Sequence, residues 1–404
     1  MEQKIFEGLK VVEYGNLVSA PYCTKLLADL GAEVIKVEKP GVGDEARNHG
    51  PFPNDVPHPE RSGLFLSLNT NKLGITVNLD TTAGRDILKS LLKDADVFVE
   101  DNAPEHMEEL GLDYDSLEKI NRRLIMASIT PFGQSGPYRD YKAYGINCAA
   151  AGGVSIGVGH PDREPLALPL SQGGYQAGVN AASAILIALF AREKMGEGQH
   201  IDISEVAVWA GLHVGVYVLT FIYIGVTGIR RGTHGGYFIY PNEILPCKDG
   251  YILLNCPQLA QWVRLLELMG NPEWTKNPRY RNRRAMHEEY PDEANALWIP
   301  WLKEHTYEEL FQLCLEERIP LAPIYTISDL VNHPHLKERN FFVDLEHPRA
   351  GRLKYPEGPC KFSKTNWQLE RPAPLLGEHN EQILCQRLGY SKEELIDLEK
   401  AGVV

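Results

Sequence analysis

The chain has 404 residues, 43% of them hydrophobic, which is enough apolar material for one large domain and a smaller one and too much for a disordered polymer. Its formal net charge of -13, with lysines and arginines scattered rather than clustered, excludes a nucleic-acid-binding surface. Cys23, Cys148, Cys247, Cys256, Cys314, Cys360 and Cys385 are widely spaced and never form a C-x-x-C pair, which excludes a disulfide framework and a zinc site and fits a reducing cytoplasm.

In chain order, Met1 to Lys10 carries no apolar run, so no signal peptide is expected. Short β-branched runs then alternate with helical patterns: Leu9 to Tyr14, Pro21 to Leu30, Ala32 to Glu38, Gly74 to Leu79, Thr82 to Lys93 and Asp96 to Asp101. That rhythm predicts βα units and a mainly parallel sheet. Pro21 and Gly31 read as the opening and closing signals of their helix. A strand over Leu124 to Thr130 and an alanine-rich helix over Asn180 to Lys194 follow, the latter carrying the small residues Ala181, Ala182, Ala184 and Ala188 of ordinary core packing.

Val206 to Gly228 contains no charged residue and is long enough to span a bilayer, but His213, Thr220 and interior glycines predict one buried linking helix instead. The glycine-rich run Gly228 to Gly236 marks a boundary. Beyond it a smaller α/β unit is expected, with strands near Tyr237 to Leu245 and Tyr251 to Asn255, a turn at Lys248-Asp249-Gly250, and helices near Leu259 to Met269 and Tyr307 to Leu315. From about Asp329 the sequence is proline-rich and reads as loop until a helical pattern over Glu381 to Ala401. The domains expected are 1–205, a linking helix 206–228, a small domain 229–328 and a return to the large domain over 329–404.

Spacing alone identifies no chemistry. Gly133-Gln134-Ser135-Gly136-Pro137 follows a strand but matches neither phosphate-binding pattern, so it reads as a turn. His333 and His335 have no third ligand nearby, no H-E-x-x-H motif appears, and a Gly-x-Ser-x-Gly elbow is missing, so neither a metal centre nor a serine nucleophile is expected.

Longer strings carry more. Leu9 to Tyr14, Leu26 to Glu38, and Pro40-Gly41 with Gly43-Asp44 and Arg47 resemble the amino-terminal signature of the class III CoA-transferase family, the formyl-CoA/carnitine type. Leu68-Asn69 with Asn71-Lys72, Phe132-Gly133-Gln134 with Gly136-Pro137, Arg192-Glu193-Lys194 with Gly196, Gly198 and Gln199, and Gly377-Glu378-His379 extend the resemblance along nearly the whole chain. The resemblance implies a Rossmann-like large α/β domain built from both chain ends, a small central α/β domain, and two interlocked subunits. It also implies an aspartate that attacks an acyl-CoA thioester and then carries CoA to a second acid.

On the same matching that aspartate falls on Gly174, four residues before Gly178, so this chain has no catalytic residue of its own. The family's two active-site glutamines fall on Val18 and Ala149. Tyr144 keeps the tyrosine motif, but its acidic neighbour is Gly145; a racemase-type His-Asp pair would fall on the same two positions and is equally missing. Lys39 and Lys142 match basic contacts to the CoA nucleotide, whereas an arginine of the family becomes Glu109, whose charge opposes phosphates.

The resemblance therefore implies the Asp-less subunit of a two-subunit enzyme such as succinyl-CoA:benzylsuccinate CoA-transferase of anaerobic aromatic degradation. Such a subunit is cytoplasmic, has a homologous Asp-bearing partner, takes a CoA thioester as substrate, and needs no cofactor, metal, membrane or nucleic acid. The alternatives are an acyl-CoA-binding homodimer, or an active transferase whose nucleophile is Asp140 or Cys148.

Overall fold

A computed structural model describes residues 4–213, 215–227, 230–235 and 239–404. Two compact units divide the chain: Met1–Ser155, Ala167–Thr227 and Lys337–Val404 form the first, Ile156–Leu166 and Gly228–Leu336 the second.

The first unit is organised by six strands, β1 (Lys10–Tyr14), β2 (Glu33–Glu38), β3 (Leu73–Thr76), β4 (Val97–Glu100), β5 (Ile125–Thr130) and β6 (His200–Ser204). Their order is β3-β2-β1-β4-β5-β6 and every neighbouring pair is parallel. The strands read as continuous apolar runs because both faces are covered. Alternate residues go to opposite sides: Val12, Ile35, Ile75 and Phe98 pack with Ile87, Leu88, Leu91 and Leu92 of the helix Thr82–Leu92, and with Ile383 and Leu384 from the far end of the chain. Val11, Val34, Val99 and Ala127 pack with Ala20, Cys23 and Leu27 of the helix Ser19–Asp29 and with Ala177, Ala181 and Ile185 of the helix Gln172–Met195. Those two helices approach closely because Gly178 has no side chain: a Cβ there would lie 2.7 Å from the Ser19 carbonyl oxygen.

The chain returns to this sheet at its edge. Gly74 N donates to His379 Nδ1 (3.1 Å), His379 N donates to Gly74 O (2.9 Å), and Thr76 N donates to Asn380 Oδ1 (2.9 Å). The Gly377-Glu378-His379 string thus holds β3 in place.

The second unit is a three-stranded antiparallel sheet, β7 (Asn242–Pro246), β8 (Tyr251–Asn255) and β9 (Leu321–Pro323), in the order β7-β8-β9. Helices Leu259–Leu268 and Tyr307–Glu316 cover it, with Trp262, Trp298, Leu265 and Leu310 buried among them.

Several sequence expectations are corrected. Val206 to Gly228 is not one buried helix: Glu205–Val208 is a short α-helix, Trp209–His213 a π-helical turn, and Gly215–Ile224 a second α-helix whose described apolar side chains, Tyr217 to Ile224, are largely exposed. Val214 and Gly228 lie outside the described residues. Among the described residues it is instead Gln172–Met195 that is long and apolar enough to cross a membrane by length and composition; its Ala177–Ala188 face lies in the core described above. That helix starts eight residues before Asn180, because Gly173 and Gly174 conceal its first turn. Pro21 is its helix's third residue rather than its first. The strand expected over Tyr237 to Leu245 begins at Asn242, and Tyr237 and Phe238 lie outside the described residues, as do Met1 to Gln3, Ile229 and Gly236. The stretch after Asp329 holds a hairpin, β10 (Phe342–His347) and β11 (Gly351–Pro356), rather than loop alone. The terminal helix is broken into Glu381–Arg387 and Lys392–Lys400, with Gly389 between them at φ +85°.

Candidate active site

In a sheet of this order the chain turns to opposite sides after β1 and β4, and the crevice outside their carboxyl ends is where such folds bind ligands. Two segments meet there: Gly15 to Val18 after β1, and Asp101 to Ala103 after β4. Asp101 joins them. It accepts hydrogen bonds from Asn16 N (2.9 Å), Ser19 Oγ (3.0 Å) and Ala20 N (3.4 Å), and so caps the helix Ser19–Asp29, whose own N-cap residue Val18 contributes no side-chain acceptor.

Beneath this loop lies a cluster of buried charges. Glu13 accepts from Lys36 Nζ (2.6 Å), Lys72 Nζ (2.8 Å) and Thr24 Oγ1 (2.6 Å). Lys36 also reaches Asp44 (2.7 Å) and the Gly15 carbonyl (3.0 Å), while Asp44 accepts from Leu17 N (2.9 Å). Arg47 grips Glu38 with two hydrogen bonds of 2.7 and 2.8 Å and Glu60 with a third of 2.8 Å. Burial pushes the Glu13 carboxyl up, but the Lys36 and Lys72 ammonium groups outweigh it and hold the pKa at about 2. Burial draws Lys72 down to about 8. The family-like residues Asp44, Arg47, Asn69 and Lys72 are thus the props of the β1 loop.

Asp101 and Glu100 behave oppositely. Burial, joined by the neighbouring Asp44 and Glu100 charges, pushes Asp101 from its ordinary 3.8 to about 8, and burial pushes Glu100 from 4.5 to about 7. Both folded pKa values lie above the unfolded ones, so this contribution to stability is complete below about pH 4 and is lost as pH rises through about 7 and 8. The thermal midpoint of wild type is therefore expected to fall from pH 5.5 to about 9 relative to that of Asp101→Asn. A difference between the two that does not change with pH, or that grows in favour of wild type, would contradict the assignment.

Position 174 faces this loop. Gly174 is buried at the head of the helix Gln172–Met195, and a Cβ built on it lies 3.0 Å from both Cβ and Cγ1 of Val18 and 3.6 Å from Ser19 N. The structure thus brings together Gly174 and Val18, two positions 156 residues apart, with the Val18 isopropyl group crowding the Cβ that any side chain at 174 would carry. Tyr175 stacks edge-on against Tyr22 (ring centroids 4.8 Å apart), closing the same side.

Ala149 lies in the helix Gly145–Ala151, buried with Cys148 and Trp209. One carboxyl group enters this pocket from a direction the sequence did not indicate. Glu205, the first residue after β6, is half-buried, with Oε1 shut off from solvent. A Cβ on Gly173 would fall on that oxygen, and one on Gly145 would lie 3.5 Å from it. Burial raises the Glu205 pKa more than the nearby Cys148 thiol and Trp209 indole lower it. Glu205 follows no recognisable motif; its only signal was an acid at the end of a strand.

The other candidates lie apart from these groups. Lys39 is exposed and paired with Asp80 at 2.8 Å, and Lys142 and Glu109 are exposed. Asp140 is tied to Arg139 and accepts from Glu105 N at 3.2 Å. Cys148 is buried, and burial with the adjacent Glu205 charge pushes its thiol up to about 12, so it holds no thiolate at neutral pH. No group of three or more His, Cys, Asp or Glu side chains suited to a metal occurs among the described residues.

The sequence profile of CoA-transferase family III matches residues 6–380. The chain is 32% identical over 404 residues to the succinyl-CoA–D-citramalate CoA-transferase of Chloroflexus aurantiacus, covering 98% of each chain. It is 31% identical to the succinyl-CoA–L-malate CoA-transferase beta subunit of the same organism, covering 98% of this chain and 97% of that one. Its structure is similar to the crystal structure of a CAIB/BAIF family protein from Brucella suis, with a TM-score of 0.86 and 30% identity over 95% of this chain and 100% of that one.

Proposed function

Because the chain belongs to CoA-transferase family III, whose members are enzymes that act on CoA thioesters, we propose that it is the non-catalytic subunit of a heteromeric transferase whose partner supplies the aspartate. The observation that carries this reading is the head of the helix Gln172–Met195, where Gly174 has no side chain to acylate and Val18 crowds the position a Cβ would take.

The reaction is a relay between carboxylates. The partner's aspartate attacks the thioester carbonyl, the C–S bond breaks and CoA leaves as thiolate, giving a mixed anhydride. The thiolate then attacks the aspartyl carbonyl, releasing the donor acid and leaving CoA as an enzyme thioester. The acceptor carboxylate attacks that thioester, expelling CoA thiolate and forming a second mixed anhydride; the thiolate attacks its acceptor carbonyl, giving the new acyl-CoA and freeing the aspartate. No step can be carried by a glycine. This chain contributes the scaffold of an interlocked cytoplasmic dimer.

Relatives named for succinyl-CoA support it as the donor, and one relative's name as a beta subunit supports a two-chain enzyme. Benzylsuccinate as acceptor, in anaerobic aromatic degradation, rests on the Asp-less pattern. Lys39 and Lys142 are the residues assigned to the CoA nucleotide.

Gly174→Asp provides the test. Its Cβ meets Val18 at 3.0 Å, and the positions of the two glutamines hold Val18 and Ala149, so the new carboxylate lacks positioning groups. The isolated variant is expected to exchange CoA between succinyl-CoA and labelled succinate no faster than background. Robust turnover would show that only one residue separated this chain from a working enzyme.

A further inference from the structure

We propose that Glu205 is a resident carboxyl: it occupies a carboxyl-sized space at the head of the helix Gln172–Met195 and closes this half-site to any incoming acid. The proposal rests on the reading of this chain as the silent half and explains how that half is kept silent.

Four small residues make the space. Gly173 and Gly145 would each direct a Cβ at Glu205, the former onto Oε1 itself. A Cβ on Gly152 would run into Trp209 Cβ, and Ala149 packs in the same cluster as Trp209. A larger residue at 152 or 173 would displace the Glu205–Trp209 pair, and one at 145 would sit in van der Waals contact with the carboxyl. The surroundings are otherwise apolar, with Ala143, Val154, Leu168 and Val206 packed against Cys148, Ala149 and Trp209, and a Cβ on Gly173 would lie 2.9 Å from Trp209 Nε1 as well as on Glu205 Oε1, which places the indole nitrogen and the carboxyl on the same side of the helix head. An apolar wall with a few converging donors is how a protein binds a small acid. Here the acid is covalently part of the chain, and the effective concentration of a tethered group far exceeds that of a dilute ligand. Because burial favours the neutral form of Glu205, an external acid taking its place should also enter best when protonated.

The test uses the full-length chain and acetate as the probe. Glu205→Ala is expected to lower the thermal midpoint, and sodium acetate to restore it saturably by several degrees, more at pH 5 than at pH 8, where sodium chloride of equal ionic strength does nothing. Wild type and Glu205→Gln, whose pockets are filled, are expected not to respond. If the alanine variant does not accumulate, Glu205→Ser vacates the same space and is read in the same way. Acetate indifference of the vacated variant, or an equal response in wild type, overturns the resident-carboxyl proposal and leaves the silent-half reading standing. A second measurement separates the two. Wild-type chain is incubated with succinyl-CoA and hydroxylamine and mapped by mass spectrometry: an unmodified Glu205 is expected, and a hydroxamate there would overturn both, by making Glu205 an acyl carrier.

Discussion

Glu13→Ala is expected to prevent the large unit from folding. Glu13 is fully buried and is the common acceptor of Lys36 and Lys72, also fully buried. Without it Lys36 keeps Asp44, but Lys72 is left with the Pro21 carbonyl and the Asn69 side-chain oxygen, both neutral. Removing one partner of a buried ion pair costs about 3–5 kcal/mol, a large share of a domain's total of about 5–15. Glu13→Gln, which keeps the shape and loses the charge, should still fold but with a clearly lower denaturant midpoint.

The sign of the pH dependence separates this from a simple cavity. The folded pKa of Glu13 lies below its ordinary 4.5, so its contribution is complete above that value and is lost as pH falls towards about 2. The gap between wild type and Glu13→Gln in denaturant midpoint should therefore narrow in acid. A gap independent of pH would mean that the charge contributes nothing. The consequence for function runs through Lys36, which holds the Gly15 carbonyl and so fixes the loop bearing Val18.

The second large effect is on turnover. Alone, the chain is expected to transfer CoA at least about 10³-fold more slowly than when mixed with the Asp-bearing partner we propose, the scale of loss seen when an enzyme is deprived of its nucleophile. Its own remaining nucleophiles cannot make up the difference: the Cys148 thiol sits at about 12, and Asp140 is engaged by Arg139. Alanine at the partner's aspartate should abolish the activity of the pair. Activity of the isolated chain near that of the mixture would refute the division of labour.

The parallel sheet was legible because strands buried on both faces are unbroken runs of Val, Ile and Ala, as in Val11-Val12 and Val97-Phe98-Val99. Its C-terminal partner segment was legible only as the string Gly377-Glu378-His379, with no hint that His379 would pair with Gly74. The start of the helix Gln172–Met195 was missed because propensity penalises the two glycines that let Glu205 and Val18 approach. The apolar stretch after Glu205 was misread because uniform hydrophobicity has length but no period, and length alone cannot reveal the π-turn at Trp209–His213. The site divides in the same way. Gly174, Val18 and Ala149 were found by matching strings, a one-dimensional operation. Asp101 and Glu205 were not, because their importance lies in groups that only folding brings near: Asn16 and Ser19 for one, Gly173, Cys148 and Trp209 for the other.

The most direct test is the native mass of the protein purified from its own cells, with the subunits identified after denaturation. A complex with a second chain of similar mass that carries an aspartate where this chain has Gly174 is the expected result. A homodimer of this chain with full transferase activity would contradict it.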